Sequence, residues 1–330
     1  MWYTAFGPFG DIVLSSRVRL ARNIAHIPFG SRMTEKNHSE VIERTVSAIP
    51  QMKYIDFSIL SKTERQALSE CHLTSPAMIE KKEKCGILVS DDCTECIMLC
   101  EEDHIRIQAM APGFDLDKCF QKANRIDDKL EETIDFGFHK DFGYLTCCPT
   151  NVGTAMRASV MMHLPALTAS GRIDGIIRSL SKLGVTVRGI YGEGSRAQGN
   201  IYQISNQVTL GSSEEEIIEK LKQLLTEIIE KERALQSEIY NQDKFRFEDK
   251  VMRSFGILTN ARILSSSETA NLLSDVRWGI NLGIIKNISL ENLSTVFYDT
   301  LPATLIKNYN LTTALERDIK RAELICEKLK

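Results

Sequence analysis

The sequence predicts an α+β fold followed by an all-helical part, on three observations. Segments that alternate apolar and polar residues, at 11–23, 86–110, the later part of 152–164 and 200–210, read as strands. Between them lie segments with apolar residues at helical spacing, such as Ile217, Leu221, Leu224, Leu225 and Ile228. Beyond about residue 238 the alternation stops, and only helical patterns with short polar links remain. The division expected is therefore 1–238 and 239–330.

Composition removes several classes of function. A chain of 330 residues has room for one large domain and a smaller one. Its formal net charge of -3 gives no global basic field for nucleic acid. No apolar run is long enough to cross a membrane, and no basic-then-apolar leader opens the chain. Nine cysteines without such a leader point to a reducing cytoplasm and free thiols. Cys93-Thr-Glu-Cys96, with Cys85 and Cys100 nearby, is a single knuckle in a hairpin turn, and no metal site is expected from it.

The elements follow in order. Residues 1–10 are rich in Gly, Pro and aromatics and read as an irregular lead-in. Asp11–Asn23 as a strand puts Ser15, Arg17 and Arg19 on one face and Val18 and Leu20 on the other. Two arginines on one face repel unless an anion lies between them, and the arginine fork suits phosphate or carboxylate. A solvated basic face explains the pair equally well. Residues 33–84 read as mostly helical, with a capping box at Ser61 and Glu64 and a loop at 71–76 that contains His72.

Ile97–Met110 has apolar flanks and a middle of acid, imidazole and guanidinium. As one strand, paired in a hairpin with 86–90, it puts Glu102, His104, Arg106 and Gln108 on one face. Glu102 and Arg106 would then stand roughly 13 Å apart, a span that can bracket a nucleotide-sized substrate. On composition alone, an edge strand with a solvated face is the simpler reading.

Residues 115–135 read as a helix and 142–148 as a short strand stopped by Pro149-Thr-Asn151. Arg157, Ser159, Met161 and His163 share one face of the next strand. A helix over 171–183 ends at Gly184, and 185–194 is a strand that enters a glycine-rich loop between Arg188 and Glu193. Ser213 and Glu216 open a long helix, Ser265 and Glu268 another, and Leu301-Pro302 marks a stop. On the last helix Leu315, Ile319 and Ala322 are expected to be buried, with Arg317 and Arg321 on another face near Asp318.

The chemistry these residues offer is phosphoryl transfer. Arg17, Arg19, Arg106, Arg157 and Arg188 can cradle a triphosphate. Glu102 and Glu193 can grip a guanidinium, and one of them can take its proton. Neither a Gly-Lys-Ser/Thr phosphate loop nor a His-Arg-Asp loop occurs.

Four motifs in order carry a resemblance: Ser-Ser-Arg-Val-Arg-Leu-Ala-Arg-Asn, Glu-Glu-Asp-His-Ile-Arg, Cys-Pro-Thr-Asn-Val-Gly-Thr and Arg-Gly-Ile-Tyr-Gly-Glu. Over roughly residues 11–235 the chain resembles the ATP:guanido phosphotransferase family, which includes creatine and arginine kinases. The resemblance implies a saddle-shaped antiparallel sheet flanked by helices, a guanido-kinase catalytic domain over 1–238. It implies ATP contacts from Ser15, Ser16, Arg17, Val18 and Arg19, from His72 and Arg106, from Arg157, Ala158, Ser159, Val160 and Met161, and from Arg188, Gly189, Ile190, Tyr191, Gly192 and Glu193. Mg2+ would be held mainly through the nucleotide phosphates. Glu102 and Glu193 would hold the substrate guanidine, with Cys148 as the reactive cysteine beside it.

The chain is more similar to the bacterial, protein-directed branch of that family. Almost nothing precedes Ser-Ser-Arg, where small-substrate kinases place a helical domain. Arg317-Asp-Ile-Lys-Arg-Ala322 matches that branch's element for allosteric phosphoarginine binding, formed here by Arg317, Asp318, Arg321 and Ala322. The branch implies phosphorylation of exposed arginines on proteins, a homodimer, an activator protein, and a link to the Clp ATPase and protease. It also implies control of the stress response through a heat-shock repressor. One departure is Ala155-Met156, where Gly-Leu is usual. The alternatives are a kinase for free arginine or another small guanidine, and a non-catalytic phosphoarginine adaptor.

Overall fold

The computed structural model describes residues 1–189 and 197–330. The first part of the chain supplies β1 (Val13–Arg22), α1 (Glu35–Ala48), β2 (Lys53–Asp56), α2 (Lys62–Glu70), α3 (Pro76–Ile79), β3 (Gly86–Val89), β4 (Glu95–Leu99) and β5 (Ile105–Pro112). Then come α4 (Leu116–Glu131), β6 (Phe138–His139), β7 (Gly143–Tyr144), β8 (Met156–His163), α5 (Pro165–Ala169), α6 (Ile173–Lys182), β9 (Val185–Gly189) and β10 (Ile201–Asn206). The rest is helical: α7 (Glu214–Gln242), α8 (Lys244–Asn260), α9 (Ser266–Asn281), α10 (Leu290–Asp299), α11 (Pro302–Tyr309) and α12 (Ala314–Leu329).

Among the described residues, eight strands form one sheet in the order β2-β3-β4-β5-β1-β8-β10-β9, and every neighbouring pair is antiparallel. β1 is central because its side chains serve both faces. Val18 and Leu20 are buried on the helix side, while Arg17 and Arg19 point to the other side and remain partly exposed. The register sets Arg19 between Gln108 of β5 and Arg157 of β8, and Arg17 opposite Ser159. α4 packs beneath β1 and β5 through Leu116, Cys119, Ala123, Ile126 and Leu130. Ser16 locks that helix to the strand: its hydroxyl donates to the Gly113 carbonyl at 2.9 Å and accepts the Asp115 N–H at 2.9 Å.

Several expectations need correction. Ile97–Met110 is two strands, because the chain reverses between Leu99 and Ile105, with Cys100 at φ 56°. The 13 Å strand spacing therefore does not apply; Glu102 sits in the turn and Arg106 on β5, and both line one cavity. The hairpin with 86–90 is present as β3 and β4. Residues 142–148 hold only the two-residue β7, and 33–84 also contains the strand β2. The stop expected at Leu301-Pro302 is present, since α10 ends at Asp299, and Pro302 also opens α11. On α12, Leu315 and Ile319 are exposed, while Arg321, Ala322, Leu324, Ile325 and Leu329 are buried. The cause is Arg321, which is 1% exposed and donates to the carbonyls of Thr300 and Leu264. Those acceptors lie inside, so the helix turns its arginine face inward and Leu315 outward.

The expected helix starts are present. Ser61, Ser213 and Ser265 each accept the N–H three residues on, with reciprocal Glu64 and Glu216 bonds in the first two. α7 runs unbroken through residue 238, so the change of composition falls inside one helix. Glu232 on α7 is fully buried and accepts the N–H groups of Ala166 and Leu167 at 2.8 and 2.9 Å, capping α5. One apolar cluster runs from Trp2 to Leu329 and joins sheet and helices.

Candidate active site

The face of β1 that carries Arg19 and Ala21 opens into a cavity of about 250 Å³. Arg106 from β5, Arg157 from β8 and Arg188 from β9 converge on it with Arg19, so four arginines come from four strands. Strand alternation explains their common direction: each sits on the sheet face opposite α4. Val18, Ala158 and Val160, expected at the nucleotide, point the other way and are fully buried. Ser16 serves α4, as described. Ser159 is on the arginine face and accepts from Arg17 Nε at 3.3 Å, while Arg17 Nη2 donates to Gln203 at 2.9 Å. Ser15 and Met161 are buried on β1 and β8, and Gly189 ends β9. Ile190, Tyr191, Gly192 and Glu193 lie outside the described residues.

Like charges in one place shift one another. Burial, then Arg17, Arg106 and Arg157, press the Arg19 guanidinium well below its usual range, with Glu101 opposing. Arg19 Nε is buried and has no hydrogen-bond partner among the described residues. Burial, Arg188 and Arg106 lower Arg157. Such a cluster costs free energy until an anion joins it. His72 is pushed down to about 3 by burial and by Arg17 and Arg19, so it is a neutral imidazole near the same arginines.

The acids enter from the turn between β4 and β5. Glu102 lines the cavity and is exposed at its mouth. Burial, then Asp103 and Glu101, raise its carboxyl above the ordinary value, against Arg106 and Arg157. Two neighbours that sequence reasoning missed hold this turn. Glu101 accepts Arg106 Nη1 on both oxygens, at 2.9 and 2.8 Å, with its side chain only 6% exposed. Burial alone would raise Glu101, but Arg106 and Ser75 hold it below its usual range. Asp103 Oδ1 accepts from Asn23 Nδ2 and from the Cys147 N–H, both at 2.7 Å. The signal was the run Glu101-Glu-Asp103, hidden by the assumption of a continuous strand.

Cys148 lines the cavity, its Sγ 3.0 Å from the Thr150 hydroxyl. The loop that carries it is pinned to β1 by Arg22, which pairs with Asp127 at 2.6 Å, donates to the Thr154 carbonyl and lies 3.4 Å from the Tyr144 ring centre. Gly153 in this loop has φ 116°, and a Cβ there would fall 2.1 Å from the Thr209 carbonyl oxygen. Ala155, also lining the cavity, has φ 50°. Among the described residues, no three His, Cys, Asp or Glu side chains come together as a metal site.

At the far end of the chain, Arg317 lines a groove of about 360 Å³ between α2 and α11, together with Glu70, Gln66 and Ser69. Arg321 does not line it; besides its two carbonyls it donates to Asp318 Oδ1 at 2.5 Å.

A basic cleft with a glutamate whose carboxyl is raised above its ordinary value can neutralise a polyphosphate and take a proton from a cationic nucleophile. Comparison with known proteins agrees with this chemistry. Residues 33–235 match the ATP:guanido phosphotransferase C-terminal catalytic domain. Residues 244–330 match the Protein-arginine kinase McsB C-terminal domain. The chain is 48% identical over 328 residues to a protein-arginine kinase of Caldanaerobacter subterraneus subsp. tengcongensis, covering 97% of each chain. With the protein-arginine kinase of Bacillus subtilis it shares 47% identity, over 99% of this chain and 93% of that one. Among solved structures, the duplicated taurocyamine kinase of Schistosoma mansoni with transition-state-analogue components aligns with TM-score 0.63 at 23% identity, over 79% of this chain and 39% of that one. Lombricine kinase aligns with TM-score 0.62 at 25% identity, over 69% and 68%.

Proposed function

The chain belongs to the ATP:guanido phosphotransferase family, and we propose that it transfers the γ-phosphoryl group of ATP to arginine side chains of proteins. The observation that carries this reading is the facing of Glu102, its carboxyl raised, against Arg19, Arg106, Arg157 and Arg188 around one cavity. Supporting it are the relatives named protein-arginine kinase, which match almost the whole chain, and the C-terminal match over 244–330.

A guanidinium has a pKa above about 12 and is a poor nucleophile until it loses a proton. Glu102 orients the arginine guanidinium and accepts one N–H proton as that nitrogen attacks the γ-phosphorus. An N–P bond forms, the bond from the γ-phosphorus to the bridging oxygen breaks, and ADP leaves. The four arginines balance the charge spread over the phosphoryl oxygens. Glu101 fixes the Arg106 fork, and Asp103 fixes the turn, so little reorganisation is needed during transfer. Mg2+ supplies further neutralisation when bound with ATP; with no three His, Cys, Asp or Glu side chains placed to hold a metal among the described residues, the cleft suits an ion held by phosphate oxygens and water. Glu193, from its motif, is the second guanidinium ligand, and Cys148 a helper beside it.

Residues 1–238 would be the catalytic domain and 239–330 the regulatory helical domain. Arg317 at its groove fits the phosphoryl end of a phosphoarginine, with Asp318, Arg321 and Ala322 forming the supporting turn of α12. Regulation by phosphoarginine, a homodimer, an activator protein, the Clp ATPase and protease, a heat-shock repressor and the stress response extend the reading to the cell. They rest on resemblance to the protein-directed branch.

One assay tests the central claim. The protein is given ATP and Mg2+ with an unfolded arginine-rich protein, and in parallel with free arginine or creatine. Mass spectrometry then looks for acid-labile phosphoarginine. Phosphorylation of the protein alone supports the proposal; turnover confined to the small guanidines overturns it.

A further inference from the structure

His72 is held from both ends of the chain. It lies two residues beyond the end of α2, at φ 59°, a conformation that costs a non-glycine residue free energy and persists only when its surroundings impose it. Trp2 Nε1 donates to the Cys71 carbonyl at 3.2 Å, and Gln108 Nε2 donates to the His72 carbonyl at 2.6 Å. Gln108 is the cross-strand partner of Arg19. The His72 ring packs against Trp2 at 5.8 Å and Tyr298 at 6.1 Å between centres. Tyr298 belongs to α10 of the helical part, is 1% exposed, stacks on Tyr3 at 4.4 Å and meets Trp2 edge-on at 5.1 Å. Glu70, just before this corner, accepts the N–H groups of Ala303 and Thr304 at 2.8 Å and so caps α11.

We propose that Tyr298, acting with Trp2, is a positioning residue for the nucleotide, holding the His72 ring beside the Arg17–Arg19 strand in the orientation that meets ATP. The inference rests on reading the arginine cleft as the ATP site and His72, which does not line the cavity itself, as the nucleotide contact that the family resemblance implies. The helical part thus completes that site from behind without touching the reacting atoms. A ring already fixed loses little freedom when ATP arrives, so its value appears in nucleotide affinity rather than in the chemical step.

A double-mutant cycle tests this, with KM for ATP and kcat measured separately and folding followed by thermal unfolding. Tyr298→Leu is expected to raise KM for ATP roughly 3- to 10-fold with kcat little changed. Tyr298→Phe, which keeps the ring, restores the wild-type KM. In a His72→Ala background, Tyr298→Leu adds no further increase, because the side chain it orients is gone. Trp2→Phe keeps a ring but removes the Cys71 hydrogen bond, and runs the same cycle should Tyr298→Leu fail to fold. An unchanged KM in Tyr298→Leu, or an equal rise with and without His72, overturns the inference alone, provided His72→Ala itself raises KM. An unchanged KM in His72→Ala overturns the placement of ATP beside that histidine, and the inference with it.

Discussion

Asp103 accepts the backbone N–H of Cys147 at 2.7 Å, and this bond joins the turn that bears Glu102 to the loop that bears Cys148. The same carboxylate adds its charge to those that raise Glu102. Geometry and proton affinity at the cavity mouth therefore depend on one side chain.

Asp103→Asn retains an oxygen acceptor but removes that charge. Glu102 must be deprotonated to act as a base, so activity rises with pH through its pKa. Without the Asp103 charge that pKa falls, and the acid limb of the pH–rate profile moves to lower pH. An unmoved acid limb in a folded variant would detach Glu102 from that limb.

Glu102→Gln keeps size and removes the base. Transfer is expected to fall by about 10²- to 10⁴-fold with the thermal midpoint little changed, since the side chain is exposed. Turnover near wild type would assign proton removal elsewhere.

Arg106→Lys and Arg157→Lys keep charge and lose the planar fork. Weaker ATP binding and slower transfer are expected from both. The Arg106 variant is the more affected, because Lys cannot reproduce the contacts to both Glu101 oxygens and the phosphate together. Calorimetry with ATP and steady-state kinetics check the ranking.

Cys148 should be alkylated ahead of Cys147, with protection by ATP plus substrate. Burial and then Asp103 and Glu102 raise the Cys147 thiol, which disfavours its thiolate. Mass spectrometry of partly modified protein reads the order directly; faster loss of Cys147 would refute it.

Much of this was legible from residues alone. Ser213 with Glu216 announces α7 because the cap is a local exchange of hydrogen bonds. The arginine pair on β1 follows from alternation. The turn at 100–104 was not legible: Cys100-Glu-Glu-Asp-His104 contains no glycine or proline, and its reversal is held by distant partners, Asn23 and Cys147. Inversion of the last helix was equally hidden, since it is fixed by carbonyls of Thr300 and Leu264 that no period reveals.

Ala155 offers a stability test. At φ 50° a Cβ is strained, and glycine is the residue the family resemblance leads one to expect there. Ala155→Gly should stabilise the fold by up to about 1 kcal/mol, read as a higher urea midpoint at unchanged slope. A lower midpoint would mean that the loop has relaxed around the methyl group.

Trp2 leaves the ribosome well before Tyr298, which lies 296 residues further along the chain (298 − 2). At roughly 5–20 residues per second, about 15–60 s separate the two. The growing chain can form most of its sheet in that interval, yet the corner at His72 stays open until α10 emerges. Until then the nucleotide side lacks its fixed histidine, and ATP is expected to bind it more weakly than it binds the finished fold.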